Sequence, residues 1–401
     1  MSAAPATVDV RLRRARGAVA TCFFLNAVFY ASLVPRLPEV KAQLGLSSTA
    51  LGAALAAVPL GALLAALSGA ALNRRFGSGR VASFGLVLLG VTVWTVSVAP
   101  NWLGLAAALL VLGALDAVVD VAQNAHGLRV QRLYQRSILN AFHGIWSVGA
   151  VTGGLLGAAA AGLGVPLVAH LAGTAVLFGA VALAASRAVL PGRDEPEQAA
   201  DEQPRQPPRR RAAVPALAVL GVLAACGAFV EDAGASWSAL YLRTELAAGA
   251  ATAGLGFVAL SVAMTVGRLT GDRVVDRFGQ RRVARAGGAL TAAGMGLALA
   301  LPSVPSTLAG FTLAGLGVAT LIPAVYQAAD ELPGLPHGLG LAVINWLLRI
   351  GFLVSPPLIG ALADAISLRV ALLAVVLAGV GTLVLGRSLP GRPGADRSGG
   401  G

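Results

Sequence analysis

Charged side chains are scarce in this sequence. Asp, Glu, Lys and Arg make up 12% of the 401 residues, where an ordinary soluble domain has about 25%. Apolar residues reach 56%, and the mean hydropathy is +0.77. The composition therefore argues against a water-soluble fold and predicts a chain that lies largely in a lipid bilayer.

Lysine, cysteine and histidine are also rare. Lys41 is the one lysine among 30 basic residues, and the arginines stand in short clusters between apolar runs, so the net charge of +12 does not indicate a nucleic-acid partner. Cys22 and Cys226 lie inside apolar runs and form no disulfide framework. The four histidines show no His-Glu-x-x-His pattern, and no Gly-x-x-x-x-Gly-Lys loop occurs. We therefore expect no metal, no cofactor and no enzyme activity.

Twelve apolar runs are long enough to cross a bilayer, which takes about 20 residues of helix. Six precede a polar, proline-rich segment and six follow it, which predicts an all-α membrane protein. The predicted parts are an N-terminal bundle at 1–186, a linker at 187–213, a C-terminal bundle at 214–390 and a disordered tail at 391–401. The predicted helices lie near 17–35, 49–72, 81–99, 102–126, 138–161, 165–186, 214–236, 251–272, 283–302, 305–329, 338–363 and 367–387.

The basic clusters fall on one side of this arrangement. With the N-terminus inside, the arginines before helix 1, after the even-numbered helices 2, 4 and 8, in the linker and in the tail all face the cytoplasm. The positive-inside rule then predicts both termini and the linker in the cytoplasm of a bacterium, with the helices in its inner membrane. We expect a monomer. The loop residues that fall on the other side are Arg36, Lys41, Arg243 and Arg369.

An offset of 202 residues superposes the two halves of the chain without a gap. The segment 69–82 matches 271–284, including an Arg-Phe-Gly triplet in each, so both halves share one six-helix plan. The halves differ where Arg74 aligns with Asp276 and where Ser147 aligns with Arg349. Further aligned pairs are Gly52 with Gly254, Gly113 with Gly315, and Gly149 with Gly351.

Two parallel six-helix repeats joined by a linker resemble the plan of the major facilitator superfamily. The loops after helices 2 and 8 are similar to the basic gating motif of that family, and their motif residues are Arg74, Arg75, Asp276, Arg277, Arg281 and Arg282. The strings Phe142-His143-Gly-Ile-Trp146 and Trp237-Ser-Ala-Leu-Tyr241 are similar to a fucose-permease-like branch of uncharacterised bacterial carriers. This resemblance implies a secondary transporter with its solute site at the bilayer midplane.

Ionisable residues inside the predicted spans are site candidates, because a charge at the bilayer centre costs at least about 2.5 kcal/mol. Asp116 and Asp120 stand one turn apart on helix 4, where mutual repulsion favours a proton on one of them. An alternative for Asp120 is an ion pair with a loop arginine, and for His143 it is a hydrogen bond that holds helices 4 and 5 together. The predicted proton-coupling candidates are Asp116, Asp120, His143, Glu231 and Asp232.

Arg349 lies close to the predicted midplane and needs an anionic partner. That partner is a carboxylate such as Glu231 or Asp232, or an anionic group of the solute. Amides, phenols and indoles nearby suit hydroxyl or amide groups of a ligand, although uncharged polar residues also hold helices together. The predicted solute-binding candidates are Asn26, Tyr30, Asn124, Trp146, Tyr326, Asn345 and Arg349.

These features together predict a secondary transporter that moves a small polar solute by alternating access, coupled to protons in symport. The resemblance favours sugars or related polar metabolites, whereas Arg349 favours a solute with a negative group. One alternative is an exporter of a drug or a metabolite. Another is a receptor that binds a solute without moving it.

Overall fold

The computed structural model describes residues 10–65, 68–135, 138–192, 210–332, 335 and 339–390. These ranges are almost wholly helical and contain no strand. Twelve helices among them are long and apolar enough to span a membrane, which confirms the predicted fold class. We number them α1 (Val10–Gln43), α2 (Ser48–Ala65), α3 (Ser78–Ser97), α4 (Trp102–Tyr134), α5 (Leu139–Gly162), α6 (Leu167–Ser186), α7 (Val214–Thr244), α8 (Ala250–Phe278), α9 (Gln280–Ala300), α10 (Val304–Asp330), α11 (Leu339–Ala365) and α12 (Leu368–Ser388).

Several of these helices are longer than the apolar runs that predicted them. α1 passes Pro35 through a 3-10 turn and ends at Gln43, and α4 ends at Tyr134 rather than near residue 126. A hydropathy run reports only the part of a helix that suits lipid, whereas Arg and Gln are good helix formers and carry the helix beyond it. In the region of the second predicted span, the structure describes helix at Ser48–Ala65 and at Ser68–Phe76.

The described residues form two compact units by their contacts. The first takes in the described parts of Met1–Leu33, Leu60–Gly157 and Val165–Gln198, and the second takes in those of Val34–Pro59, Ala158–Gly164 and Ala199–Gly401. Most of the predicted linker and the whole predicted tail, at 193–209 and 391–401, lie outside the described residues. The division of the chain at 187–213 therefore stays a prediction.

Each unit has an apolar core of its own. In the first, Phe23 of α1 and Phe142 of α5 stack with ring centroids 5.5 Å apart, and buried Leu190 joins them from the segment after α6. In the second, Trp237 and Tyr241 of α7 are almost fully buried. Burial of such large rings is the main stabilising contribution that packing inside each unit can make.

The repeated glycines lie where helices pack most closely. A Cβ on Gly149 of α5 would collide with the Phe24 carbonyl oxygen of α1. At the aligned position, a Cβ on Gly351 of α11 would lie 3.1 Å from Ala225 Cα of α7. Small residues let helix backbones approach in this way, so the two halves use the same position for the equivalent helix pair.

In the loops before α3 and α9, the backbone turns at two glycines that the 202-residue offset aligns. Gly77 has φ 86° and Gly279 has φ 84°, a region that side chains with a Cβ rarely adopt. The arginine of each Arg-Phe-Gly triplet lies over the phenylalanine ring: Arg75 over Phe76 at 5.2 Å and Arg277 over Phe278 at 5.4 Å.

We expect Gly254→Val to lower the thermal stability of the protein. A Cβ on Gly254 of α8 would lie 2.6 Å from Ala158 Cβ and 2.9 Å from Pro35 Cβ, all within the second unit. Overpacking of this kind costs about 1–3 kcal/mol, so the unfolding midpoint in detergent should fall by several degrees. Gly173→Val is the control, because nothing lies within 4 Å of a Cβ at that position. An equal fall in both variants would contradict the packing argument.

Candidate functional site

A polar cluster within the first unit joins α1, α4 and α5. The Asn26 side-chain amide donates to Asp116 Oδ1 at 2.7 Å, and the Asn26 carbonyl oxygen accepts from the Trp146 indole at 2.8 Å. Asn26 is buried, while Asp116 and Trp146 are half-buried. The structure thus brings together three predicted site residues from three helices. Both bonds fix the orientation of the Asn26 amide and give the cluster a defined donor and acceptor pattern.

The other candidates of the first unit lie near this cluster in sequence but make different contacts. Asp120 Oδ1 accepts from the Asn124 amide at 3.0 Å and from the Gln123 amide at 3.3 Å, all within α4. His143 packs edge-on against Phe23, with ring centroids 5.1 Å apart. Tyr30 is half-buried one turn beyond Asn26 on α1.

An ion pair crosses between α7 and α8 in the second unit. Arg268 Nη2 lies 3.6 Å from Glu231 Oε2, and both side chains are only partly exposed. Glu231 was predicted as one of two candidate carboxylate partners for Arg349; the structure places Arg268 of α8 beside it, and the partner of Arg349 stays a prediction. Arg268 lies inside a predicted span and meets the criterion that selected Arg349, but it was not among the predicted site residues.

The neighbouring carboxyl, Asp232, has a different environment. Its Oδ1 accepts from the Ser236 hydroxyl at 2.9 Å, while its buried Oδ2 has no hydrogen-bond partner among the described residues. Ser355 of α11 lies close to the same carboxyl, and its buried hydroxyl likewise has no partner within the described ranges. At 1.5 Å per residue, Asp232 lies about 18 Å along α7 from Thr244, well inside the span.

Three further candidates meet where α10 and α11 pack. The Tyr326 hydroxyl donates to Asn345 Oδ1 at 3.2 Å. Arg349 lies one turn further along α11, close enough for its charge to act on the Tyr326 hydroxyl. Tyr326 and Asn345 thus form a hydrogen-bonded pair within the second unit, with the charge of Arg349 nearby.

The predicted gating loops lie at helix ends. Arg281 donates through Nε to the Leu389 carbonyl oxygen at 2.9 Å, which ties the start of α9 to the segment after α12. Arg75 and Arg277 each lie over the phenylalanine ring of their own triplet. The remaining motif residues, Arg74, Asp276 and Arg282, are exposed.

A contact between α2 and α11 in the second unit was not predicted. The Asp364 carboxylate accepts from the backbone N–H of Ser48 at 2.9 Å and of Thr49 at 2.7 Å, at the first turn of α2. Helix packing is close beside it, because a Cβ on Gly52 would collide with the Pro356 carbonyl oxygen. Apolar periodicity carries no sign of this contact, since the partners of the carboxylate are main-chain groups.

Comparison with known proteins identifies the family. The model of the Major Facilitator Superfamily matches residues 19–231 and 217–400. An uncharacterised MFS-type transporter of Yersinia pestis is 31% identical over 356 residues, which covers 88% of this chain and 90% of that protein.

Solved structures share the fold at low sequence identity. A bacterial homologue of the human lysosomal transporter Spinster, inward-facing and occupied, has a TM-score of 0.75 at 15% identity and covers 96% of this chain and 98% of that one. The transporter FucP in its outward conformation has a TM-score of 0.62 at 17% identity, with coverage of 93% and 97%. The predicted resemblance to the superfamily is confirmed, and this multi-pass membrane protein belongs to the Major Facilitator Superfamily of transporters.

Proposed function

We propose that this chain is a proton-coupled secondary transporter that carries a small polar solute across the bacterial cytoplasmic membrane by alternating access. Both termini lie in the cytoplasm in this proposal, as the positive-inside rule predicts. Family membership supports transport, and the coupling proposal depends on one observation, the environment of Asp232.

Asp232 is the group to which we assign the transported proton. An ionised carboxylate inside the bilayer needs all its oxygens paired, and Oδ2 has no partner among the described residues. A neutral carboxyl at this place can donate from Oδ2 toward the nearby Ser355 hydroxyl of α11. Glu231 differs, because Arg268 lies 3.6 Å away and provides a positive charge as its partner.

Proton release from Asp232 then acts on α11. Ser355 lies nine residues before Asp364, so both polar contacts of α11 stand on the same helix about 14 Å apart along its axis. Loss of the proton adds a charge beside Ser355 and changes the packing of α11 on α7. In our proposal this change releases the contact of Asp364 with α2.

The Asn26, Asp116 and Trp146 cluster is assigned to solute binding. Its carboxylate, amide and indole groups suit the hydroxyl or amide groups of a polar metabolite. Tyr326, Asn345 and Arg349 provide a second set of donors, with a positive charge for an anionic group of the solute. Tyr30 and Asn124 remain candidates, and Asp116, Asp120 and His143 remain alternatives to Asp232 for the proton.

The proposal is tested by uptake into proteoliposomes. The purified chain is reconstituted and offered a panel of radiolabelled sugars, nucleosides, amides and small organic acids, with and without an imposed pH gradient. We expect one class to accumulate only when the gradient is present and protein is in the membrane. Accumulation of solute that occurs only when the imposed pH gradient is reversed would identify an exporter. Binding without flux for every member of the panel would contradict transport and favour the receptor.

We expect Asn26→Ala to raise the KM for that solute about tenfold with little change in the maximal rate. The change removes the amide from the proposed solute site and also removes the two hydrogen bonds that orient Asp116 and Trp146 there. Loss of a contact worth about 1.4 kcal/mol to the bound solute corresponds to a tenfold change in affinity. Ser32→Ala is the matched control, because it removes a buried hydroxyl of α1 that bonds within its own helix. An unchanged KM in Asn26→Ala would show that the cluster only holds helices together.

A further inference from the structure

A basic cavity lies at the helix ends of the first unit, away from the polar clusters described above. Its volume is about 540 Å³, within the range of roughly 300–1,000 Å³ that ligand sites occupy. Four arginines line it, and no Asp or Glu does so among the described residues. They are Arg11 and Arg14 at the start of α1, Arg80 at the start of α3, and Arg187 after α6.

Three of the four guanidinium groups in this cavity are available to a ligand. Within the described ranges, Arg14, Arg80 and Arg187 make no hydrogen bond or ion pair with another side chain or main-chain group. A smaller cavity of about 350 Å³ shares Arg80 and Gly192 with it, and Arg75 also lines this second cavity. Such a concentration of positive charge favours an anionic ligand.

The wall of the cavity is held in place by α4. His126 is buried, and its Nε2 accepts from the Leu190 backbone N–H at 3.2 Å, while its Nδ1 bonds to the Ser78 hydroxyl at 3.1 Å. Arg129 donates to the Pro191 carbonyl oxygen at 2.8 Å. These bonds fix the segment after α6, so the cavity is formed before any ligand arrives.

The second half of the chain closes the equivalent place with arginines. The 202-residue offset aligns Gly79, which lines the cavity, with Arg281, and aligns Ser83 with Arg285. Arg281 and Arg285 donate to the carbonyl oxygens of Leu389 and Leu383 at 2.9 and 3.1 Å. The first half has the small residues Gly79 and Ser83 at these two positions, and Gly79 lines the open cavity.

The rim of the cavity is apolar as well as basic. Val10 lines the cavity and is 61% exposed, and Phe76 lines the adjoining one and is 50% exposed. A free phosphate ion gains no binding energy from these apolar side chains, whereas a phospholipid presents an anionic phosphate next to apolar chains. Basic pockets at the cytoplasmic ends of membrane helices suit anionic lipid head groups.

We propose that this cavity binds the phosphate group of an anionic phospholipid such as phosphatidylglycerol. The guanidinium groups of Arg80 and Arg187 take the phosphate oxygens, because the planar Arg fork matches phosphate better than a point charge does. The lipid lies in the cytoplasmic leaflet, a placement that rests on the orientation in the proposed function. Binding itself does not depend on that orientation or on transport.

The test uses the full-length chain, delipidated in a neutral detergent. Dioleoylphosphatidylglycerol, dioleoylphosphatidylcholine and glycerol 3-phosphate are titrated separately, with lipid retention measured by native mass spectrometry and stability by thermal unfolding. We expect phosphatidylglycerol alone to bind and to raise the unfolding midpoint. R80Q/R187Q should lower its affinity at least tenfold, and R80K/R187K, which keeps the charge, should lower it less. R132Q/R273Q is the matched control, with the same loss of charge at exposed sites outside the cavity, and should bind as the wild type does.

Three results would overturn the proposal. Equal affinity for glycerol 3-phosphate would mean a site for free anions rather than lipid. Equal loss of affinity in R80Q/R187Q and R132Q/R273Q would mean non-specific attraction of charge. The sequence beyond the cavity contains Asp194, Glu195 and Glu197. If phosphatidylglycerol binds only after these three are changed to amides, the occupant is the chain's own acidic segment.

Discussion

Asp232→Asn is expected to abolish accumulation driven by a pH gradient while leaving exchange of solute across the membrane largely intact. The amide has the shape of the neutral carboxyl and can donate toward Ser355, but it cannot release a proton. Accumulation should fall at least tenfold, whereas counterflow with solute on both sides should stay within about threefold. Both are measured on one batch of proteoliposomes with the solute found in the panel assay.

Asp330→Asn is the matched control, because this carboxylate is exposed at the end of α10. It should leave both accumulation and counterflow unchanged. If Asp232→Asn still accumulates solute with the gradient, Asp232 does not carry the proton, and Asp116 becomes the first alternative. If Asp232→Asn loses counterflow as well, the residue contributes to binding or folding rather than to coupling.

Asp364→Ala is expected to open the contact between α2 and α11. The variant removes two hydrogen bonds to a charged acceptor, which contribute about 1.5–3 kcal/mol each when shielded. Because Asp364 is exposed, we expect the two hydrogen bonds together to contribute about 1.5 kcal/mol. Their loss corresponds to roughly a tenfold shift toward the form in which α2 and α11 are separated at this contact. Asp364→Asn keeps one acceptor oxygen and should give a smaller shift.

The shift can be read from the reactivity of a buried cysteine. Ala54 of α2 is fully buried, so Ala54→Cys, with Cys22 and Cys226 changed to Ala, should react slowly with a membrane-impermeant maleimide. Adding Asp364→Ala should raise that rate about tenfold, and adding Asp330→Ala should not. An unchanged rate, with an unfolding midpoint equal to the parent's, would show that Asp364 does not hold α2 and α11 together.

Hydropathy was sufficient to predict the twelve helices, because apolar length is a direct requirement of the bilayer. It misplaced helix ends wherever Arg or Gln continued a helix beyond the lipid, as in α4. The aligned glycines were also informative: Gly149 and Gly351 allow close packing in equivalent helix pairs. These features depend on local sequence, which is why they were predictable.

The contacts of the site depend on which helices are neighbours, and depth along a helix does not specify that. Asn26 and Asp116 were each predicted as candidates, yet only the fold shows that one bonds to the other. The ion pair of Glu231 with Arg268 was not predicted for the same reason, since it depends on α7 and α8 being neighbours. His126 and Asp364 were missed because both bind main-chain N–H groups, which leave no pattern in the sequence.

Proton movement that accompanies solute entry is the most direct test of proton-coupled transport by this chain. Proteoliposomes are loaded with a pH-sensitive dye, and the transported solute is added outside in the absence of any imposed gradient. Symport predicts immediate acidification of the interior with the wild type and none with Asp232→Asn, although solute enters in both cases. Solute entry through the wild type without any change in internal pH would contradict proton coupling.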